Sequence, residues 1–194
     1  FDRLHHVNLG FKPQHLLSLE YRLPRNKYGK PESQWNFHRE VIETVKQVPG
    51  VESVSLIRGL PFSGNGGTAG IIVVDHELPA KATEPEVMFN TAMPNYFETM
   101  GIPLLRGRTF GNQDQLNSPT ALIVNQMMAN RFWPNQDPVG KQIKFVGDNS
   151  VGTIVGVSGD AKHYLMEEEQ RPQLYVAFSQ NPGIFATVVM RTSV

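Results

Sequence analysis

The sequence predicts an α+β fold in two subdomains. Three observations predict it. A strand, an amphipathic helix and a second strand follow one another over residues 16–57; a glycine-rich stretch over 59–70 breaks the pattern; and short apolar runs then alternate with short helical ones to the end of the chain. At 194 residues, 40% hydrophobic and 19% charged, the chain fits one domain or two small ones. A chain of that size buries roughly 70% of the surface it exposes unfolded. The apolar share with zero net charge excludes a disordered chain. Lys+Arg 18 against Asp+Glu 18, with a pI near 7.2, leaves no basic surplus for phosphate, so nucleic acid is not an expected partner.

Leu17, Leu19, Tyr21 and Leu23 alternate with Ser18, Glu20 and Arg22, the period of a half-buried strand, and Pro24 closes it. A polar loop with Asn26, Gly29 and Pro31 leads to a helix over 33–48. Phe37, Val41, Val45 and Val48 form its apolar stripe, and Pro49-Gly50 stops it. Val51, Val54 and Leu56 begin the next strand. Strand, helix, strand without a hairpin places two strands in one sheet with the helix on its face. Five glycines, Gly59, Gly64, Gly66, Gly67 and Gly70, then mark a turning connection and a subdomain boundary.

Ile71–Val74 reads as a strand, residues 79–85 as a loop and Val87–Met93 as a strand. Pro94–Gly101 is a short helical turn with Gly101 as its left-handed cap and Pro103 barring continuation. Arg106-Gly107-Arg108 reads as a basic turn. Ala121–Val124 is a buried strand, and Asn125 caps a helix running to Phe132 before Pro134. Asp137-Pro138-Val139-Gly140 is a turn, residues 142–146 and 153–157 form a strand pair, and 174–177 and 187–191 are the last two strands.

Chemistry is sparse. Cysteine is absent, which removes disulfides, thiolate nucleophiles and Cys-based zinc sites. Gly64-Asn65-Gly66-Gly67-Thr68-Ala69 has the letters of a dinucleotide-binding turn, but strand-like Ile71–Val74 follows where that turn needs a helix, so the stretch reads as a linker. His5 and His6 point to different faces of any regular element. Asp160 and His163 are the one pair that could serve as orienter and base, against the plainer reading of a polar turn after a strand. Asp114, Asp137 and Asp148 sit among turn residues, and Glu167–Glu169 read as a solvated run. Arg106 and Arg108 offer an acidic partner a handle or, more simply, form a solvated turn. Met127 and Met128 read as core filler, and Trp133, beside Pro134 at the end of a helix, as a core residue of the second subdomain. No catalytic, cofactor-binding or metal residue is therefore assigned.

Longer stretches carry a resemblance. Pro49-Gly50-Val51-Glu52-Ser53-Val54, the whole of 93–110, Ile123-Val124-Asn125 with Arg131-Phe132-Trp133-Pro134, Asp137-Pro138, Gly140-Lys141, Ile154-Val155-Gly156-Val157, Gly159-Asp160, Pro172 and Tyr175 together resemble the MacB-like periplasmic core domain. That domain is the extracytoplasmic module of FtsX-type ABC transporter permeases, here in the style of the large duplicated permeases. The resemblance implies a porter-like βαβ subdomain built from residues 1–62 and 170–194, with a small α/β subdomain, 63–169, inserted between. It implies a second porter helix after Arg191 that this stretch lacks, and an opening Phe1 that follows a membrane helix in a longer parent.

The implied function is a non-enzymatic extracytoplasmic domain, on the outer face of the bacterial inner membrane, that couples cytoplasmic ATP-driven motion to export or mechanotransmission. Such coupling asks for a well-packed module whose two parts can change relative orientation. The implied partners are the membrane helices of its own permease, a second copy in a permease dimer, a cytoplasmic ATPase reached indirectly, and a periplasmic adaptor protein; no cofactor is implied. Two other readings stand beside it: a module binding peptide, lipid or lipoprotein between the subdomains, and a small hydrolase using Asp160 and His163.

Overall fold

The computed structural model describes residues 9–63, 66–74, 85–163 and 171–193, a mixed α+β fold dominated by sheet. The first unit starts as its periodicity dictates: β1 (Leu16–Arg22), α1 (Pro31–Lys46) and β2 (Val51–Ile57). The helix begins two residues earlier than the apolar stripe suggests, because Pro31 takes the first helical position, where a missing N–H costs nothing. It ends at Lys46, and Val48, assigned to the stripe, lies beyond the cap and half exposed. β1 and β2 are not neighbours. β10 (Phe185–Thr192) runs antiparallel between them, pairing Leu16 with Arg191 on one side and Leu56 with Val188 on the other.

Of the predicted apolar face, Leu23, just past the end of β1, is buried, and Tyr21 is tied to the helix through its hydroxyl, 2.6 Å from His38 Nδ1. Leu17 and Leu19 are 56% and 58% exposed, because α1 packs against β2 and does not reach across them.

The remaining strands form a ring. β4 (Glu86–Ala92) pairs with β3 (Gly67–Val73), β3 with β7 (Gln142–Phe145), β7 with β8 (Val151–Ser158), β8 with β6 (Thr120–Asn125), β6 with β9 (Gln173–Ala177), and β9 with β4 again. This closed circuit removes free strand edges over most of its length. The glycine-rich stretch is thus strand from Gly67 onward, and Gly64 and Asn65 lie outside the described residues. Arg106 and Gly107 are not a turn but part of β5 (Leu104–Gly107), which pairs with the second half of β8. Two short helices flank the ring, α2 (Tyr96–Met100) and α3 (Gln126–Phe132). Gly101 caps α2 at φ +69°, the left-handed conformation its position suggests. Asn125 caps α3, its Oδ1 accepting from Met128 N–H at 3.0 Å.

Three groups of buried side chains hold these parts. Inside the ring, Ile71, Val73, Val87, Leu122, Val124, Ile143, Ile154, Leu174 and Val176 meet Met128, Ala129, Phe132 and Trp133 of α3 and its end, so α3 stoppers one mouth of the ring. Met128 is core, as the sequence suggests; its neighbour Met127 is only half-buried. Ile42, Val54, Leu56, Phe178, Ala186 and Val188 join α1 to the sheet β1-β10-β2. The third group lies between the two and is described next.

Candidate functional site

The backbone connection between the three-stranded sheet and the ring is thin. β2 and β4 share one paired position, Ile57 with Ala92. Around it run Arg58 N–H to Thr91 O at 3.0 Å, Met93 N–H to Leu56 O at 2.8 Å and Phe178 N–H to Ala92 O at 2.9 Å.

The side-chain connection is thick. Ile57 and Val189 from the sheet, Ala92, Ala121, Ile123, Tyr175 and Ala177 from the ring, and Tyr96, Phe97 and Met100 from α2 share one buried core. Tyr96 packs edge-on to Phe97 at 5.3 Å, and Phe97 edge-on to Tyr175 at 5.1 Å, the arrangement aromatic quadrupoles favour. Burial raises the pKa of both phenols, so they stay neutral hydroxyls. α2 is therefore a wedge between the two parts.

Polar contacts fix the wedge. Ser55 Oγ donates to Pro94 O at 2.8 Å. The Arg191 guanidinium donates through Nε and Nη2 to Thr99 O at 3.0 and 2.8 Å, through Nη2 to Lys12 O at 2.9 Å and through Nη1 to Gln14 O at 2.7 Å. It satisfies a carbonyl at the end of α2 and binds the chain's early residues to its last strand. The sequence reading placed Arg191 on a strand without a role. Its partners are backbone carbonyls, which carry no sequence signature.

The residues singled out for chemistry make contacts that tie the fold together. Asp160 Oδ1 accepts Met127 N–H at 2.8 Å, a second cap for α3; burial raises its pKa and that amide bond opposes the rise. His163 is buried, and its carbonyl accepts from Phe62 N–H at 2.9 Å. Arg108 keeps a partly exposed side chain, but its guanidinium grips the buried Asp114 bidentately at 2.7 and 2.9 Å. Burial pushes the Asp114 carboxyl up, but the Arg108 and Gly111 hydrogen bonds hold it below the usual carboxylate range. Arg106 reaches Gln126 Oε1 at 3.3 Å. Asp137 and Asp148 accept amides two residues on, Val139 and Ser150, as turn carboxylates do. His5, His6, His76 and Glu167–Glu169 lie outside the described residues. Among the described residues no cluster of three or more His, Cys, Asp or Glu could hold a metal ion, and no helix is long and apolar enough to cross a membrane.

The model of the MacB-like periplasmic core domain matches residues 7–192. The fold is similar to the crystal structure of the periplasmic region of MacB from Actinobacillus actinomycetemcomitans, with a TM-score of 0.61 at 15% identity over 95% of this chain and 77% of that one. It is also similar to the extracellular domain of the noncanonic ABC-type transporter YknZ from Gram-positive bacteria, with 0.57 at 18% identity over 92% and 84%. A domain of a permease protein from Porphyromonas gingivalis gives 0.51 at 18% identity over 77% and 65%. No curated protein matches.

Proposed function

The chain belongs to the MacB-like periplasmic core domain family, and from that premise we propose that it transmits motion, as a stiff extracytoplasmic block, between the membrane helices of its permease and whatever the permease handles outside the membrane. Membership makes it the periplasmic domain of a MacB- or YknZ-type ABC transporter permease, extracytoplasmic as part of a membrane protein. The coupling to a cytoplasmic ATPase, the permease dimer and a periplasmic adaptor are part of the proposal.

The observation that carries it is the core shared by the sheet and the ring around α2. A relay must not yield when loaded. Opening that core would expose Tyr96, Phe97, Met100 and Tyr175 at about 1.5–3 kcal/mol for each large side chain, more than a thermal fluctuation supplies. We assign residues 1–62 and 170–194 to the membrane-side part and 63–169 to the inserted part, with Gln173–Ala177 of the return strand paired inside the ring. The shared core favours the two moving together over their changing relative orientation.

Pulsed electron paramagnetic resonance on the full permease with its ATPase tests this. These 194 residues contain no cysteine, so once any cysteines elsewhere in the permease and its ATPase are replaced, Glu43→Cys on α1 and Asn149→Cys on the β7–β8 turn label cleanly. Between the nucleotide-free and ATP-trapped states, the 43-to-149 distance within one domain should hold while the 43-to-43 distance between two copies changes. An unchanged inter-copy distance overturns the relay; a changed internal distance replaces the block by a hinge.

A further inference from the structure

The ring has two mouths. α3 fills one, and among the described residues none closes the other. At the open mouth lies a cleft of about 490 Å³ lined by Thr68, Ala69, Phe89, Phe145, Val146 and Val176, with Thr120, Asp148, Ser150, Gln180 and Asn181 on its rim. Its floor is aromatic: Phe89 and Phe145 meet edge-on at 6.0 Å, and both rings are incompletely covered. The mouths of small β-barrels are common ligand sites, and this volume lies within the usual range.

The wall of the cleft carries a second feature. β3 pairs with β7 only from Ile71 onward, because the β7–β8 hairpin turns back at Gly147, φ +108°. The last bond of that ladder is Val146 N–H to Gly70 O at 2.9 Å. Peptide groups on a strand alternate between its two edges. Ile71 N–H points to the β4 side, bonding Pro85 O at 3.0 Å, and Gly70 O points to the β7 side. Thr68, two residues before Gly70, therefore turns its own N–H and C=O to the β7 side, where the ladder has ended and the cleft begins.

Among the described residues that line the cleft, the charged one is Asp148. Asp148 accepts from Ser150 N–H at 2.9 Å and Ser150 Oγ–H at 2.8 Å, which hold its carboxyl below the usual range. Glu86 accepts from Thr68 Oγ at 2.9 Å, on the outward face of β3. Among the described residues, no Lys or Arg lines the cleft.

We propose that this mouth binds an extended peptide segment of a partner protein, added as a short strand to the β3 edge at Thr68, with a large apolar side chain on Phe89 and Phe145 and a basic residue beside it facing Asp148. Strand addition supplies affinity through the peptide groups, and the alternation of side chains supplies specificity: inward residues meet the aromatic floor, outward ones the acidic lip. The proposal rests on the ring itself and not on the coupling reading; a permease domain that moved nothing could still hold such a segment.

The test is a titration of the isotopically labelled 194-residue chain, followed by backbone amide NMR shifts, with N-acetylated hexapeptides of alternating pattern. The third residue runs through Ser, Val, Phe and Trp, and the fourth is Lys or Glu. The expected result is saturable shifts at residues 67–70, 145–150 and 180–181. Affinity should rise from Ser to Phe or Trp by at least about tenfold, one hydrophobic anchor's worth, and Lys should be preferred over Glu at low salt. Thr68→Pro removes the N–H that the added strand needs. It leaves the β4 ladder intact, because that N–H points away from β4, so the variant should fold and lose about tenfold in affinity. Asp148→Asn should erase the Lys preference while keeping the aromatic one. Shifts absent from those amides with every peptide, or independent of the third residue, overturn the proposal. So does binding of free indole at the cleft when no peptide binds.

Discussion

Arg191 shows how a single side chain stands in for missing secondary structure. Its guanidinium serves three carbonyl oxygens, on Lys12, Gln14 and Thr99. Arg191→Met keeps the stem and should cost about 1.5–3 kcal/mol by chemical denaturation, the range of charge-assisted hydrogen bonds. Arg191→Lys should recover little, because an ammonium cannot reproduce the planar fork that spans the three oxygens; full recovery would reduce Arg191 to a mere point charge. Trp133 works by volume. It is 2% exposed within the core that stoppers the ring, so Trp133→Ala should cost about 3–5 kcal/mol, and a loss under about 1 kcal/mol would take it out of that core. Asn125 does three jobs while fully buried: its Oδ1 receives Met128 and Gln173 N–H, and its Nδ2 donates to Arg171 O. The sequence shows the first of these, a cap one residue before a helical run. It does not show the others, since Gln173 and Arg171 stand far along the chain.

At the scale of elements, α1 is fastened through His38. That ring is fully buried; its Nε2 lies 2.7 Å from Gly183 O, and its Nδ1 lies 2.6 Å from the Tyr21 hydroxyl. The Gly183 carbonyl can only accept, so Nε2 carries the proton, and Nδ1 accepts from Tyr21 in the neutral ring. Burial lowers the His38 pKa, and the Gly183 bond partly opposes this. A lowered histidine pKa means that the unfolded chain binds the proton more readily. Stability is therefore fully present above the ordinary value of about 6.5 and declines as pH falls below it toward the lower folded value. Urea midpoints should drop from pH 7.5 to 5 in the natural chain and drop less in His38→Gln; equal slopes would clear His38 of the effect. Elements with local causes were legible in sequence: β1 from its alternation, α1 from its stripe, α2 from Gly101 and Pro103, α3 from Asn125. What escaped was long-range. Nothing in Leu104–Gly107 says that β8 will pair with it, and Leu17 and Leu19 alternate like core residues though no element among the described residues covers them. The cleft was illegible for the same reason, since Phe89 and Phe145 meet only when the ring closes.

At the scale of the molecule, thin backbone continuity and a thick shared core make one body of two parts. A substitution in that core should weaken both together. Phe97→Ala should lower the whole molecule's unfolding free energy by about 3–5 kcal/mol in a single transition. Two separated transitions, by fluorescence and by far-ultraviolet dichroism, would show that the sheet and the ring unfold independently. The interleaving of β10 between β1 and β2 also has a consequence for how the protein is made. Its first two strands leave the ribosome more than a hundred residues before the strand that must slip between them. Until Phe185 and the residues after it have been made and translocated, β1 and β2 lack the strand that belongs between them, and their bare edges invite misassembly with other nascent chains. A chain truncated ahead of Phe185 would never repair this, so quality-control proteases should clear it even though β1 to β9 of this domain are all present.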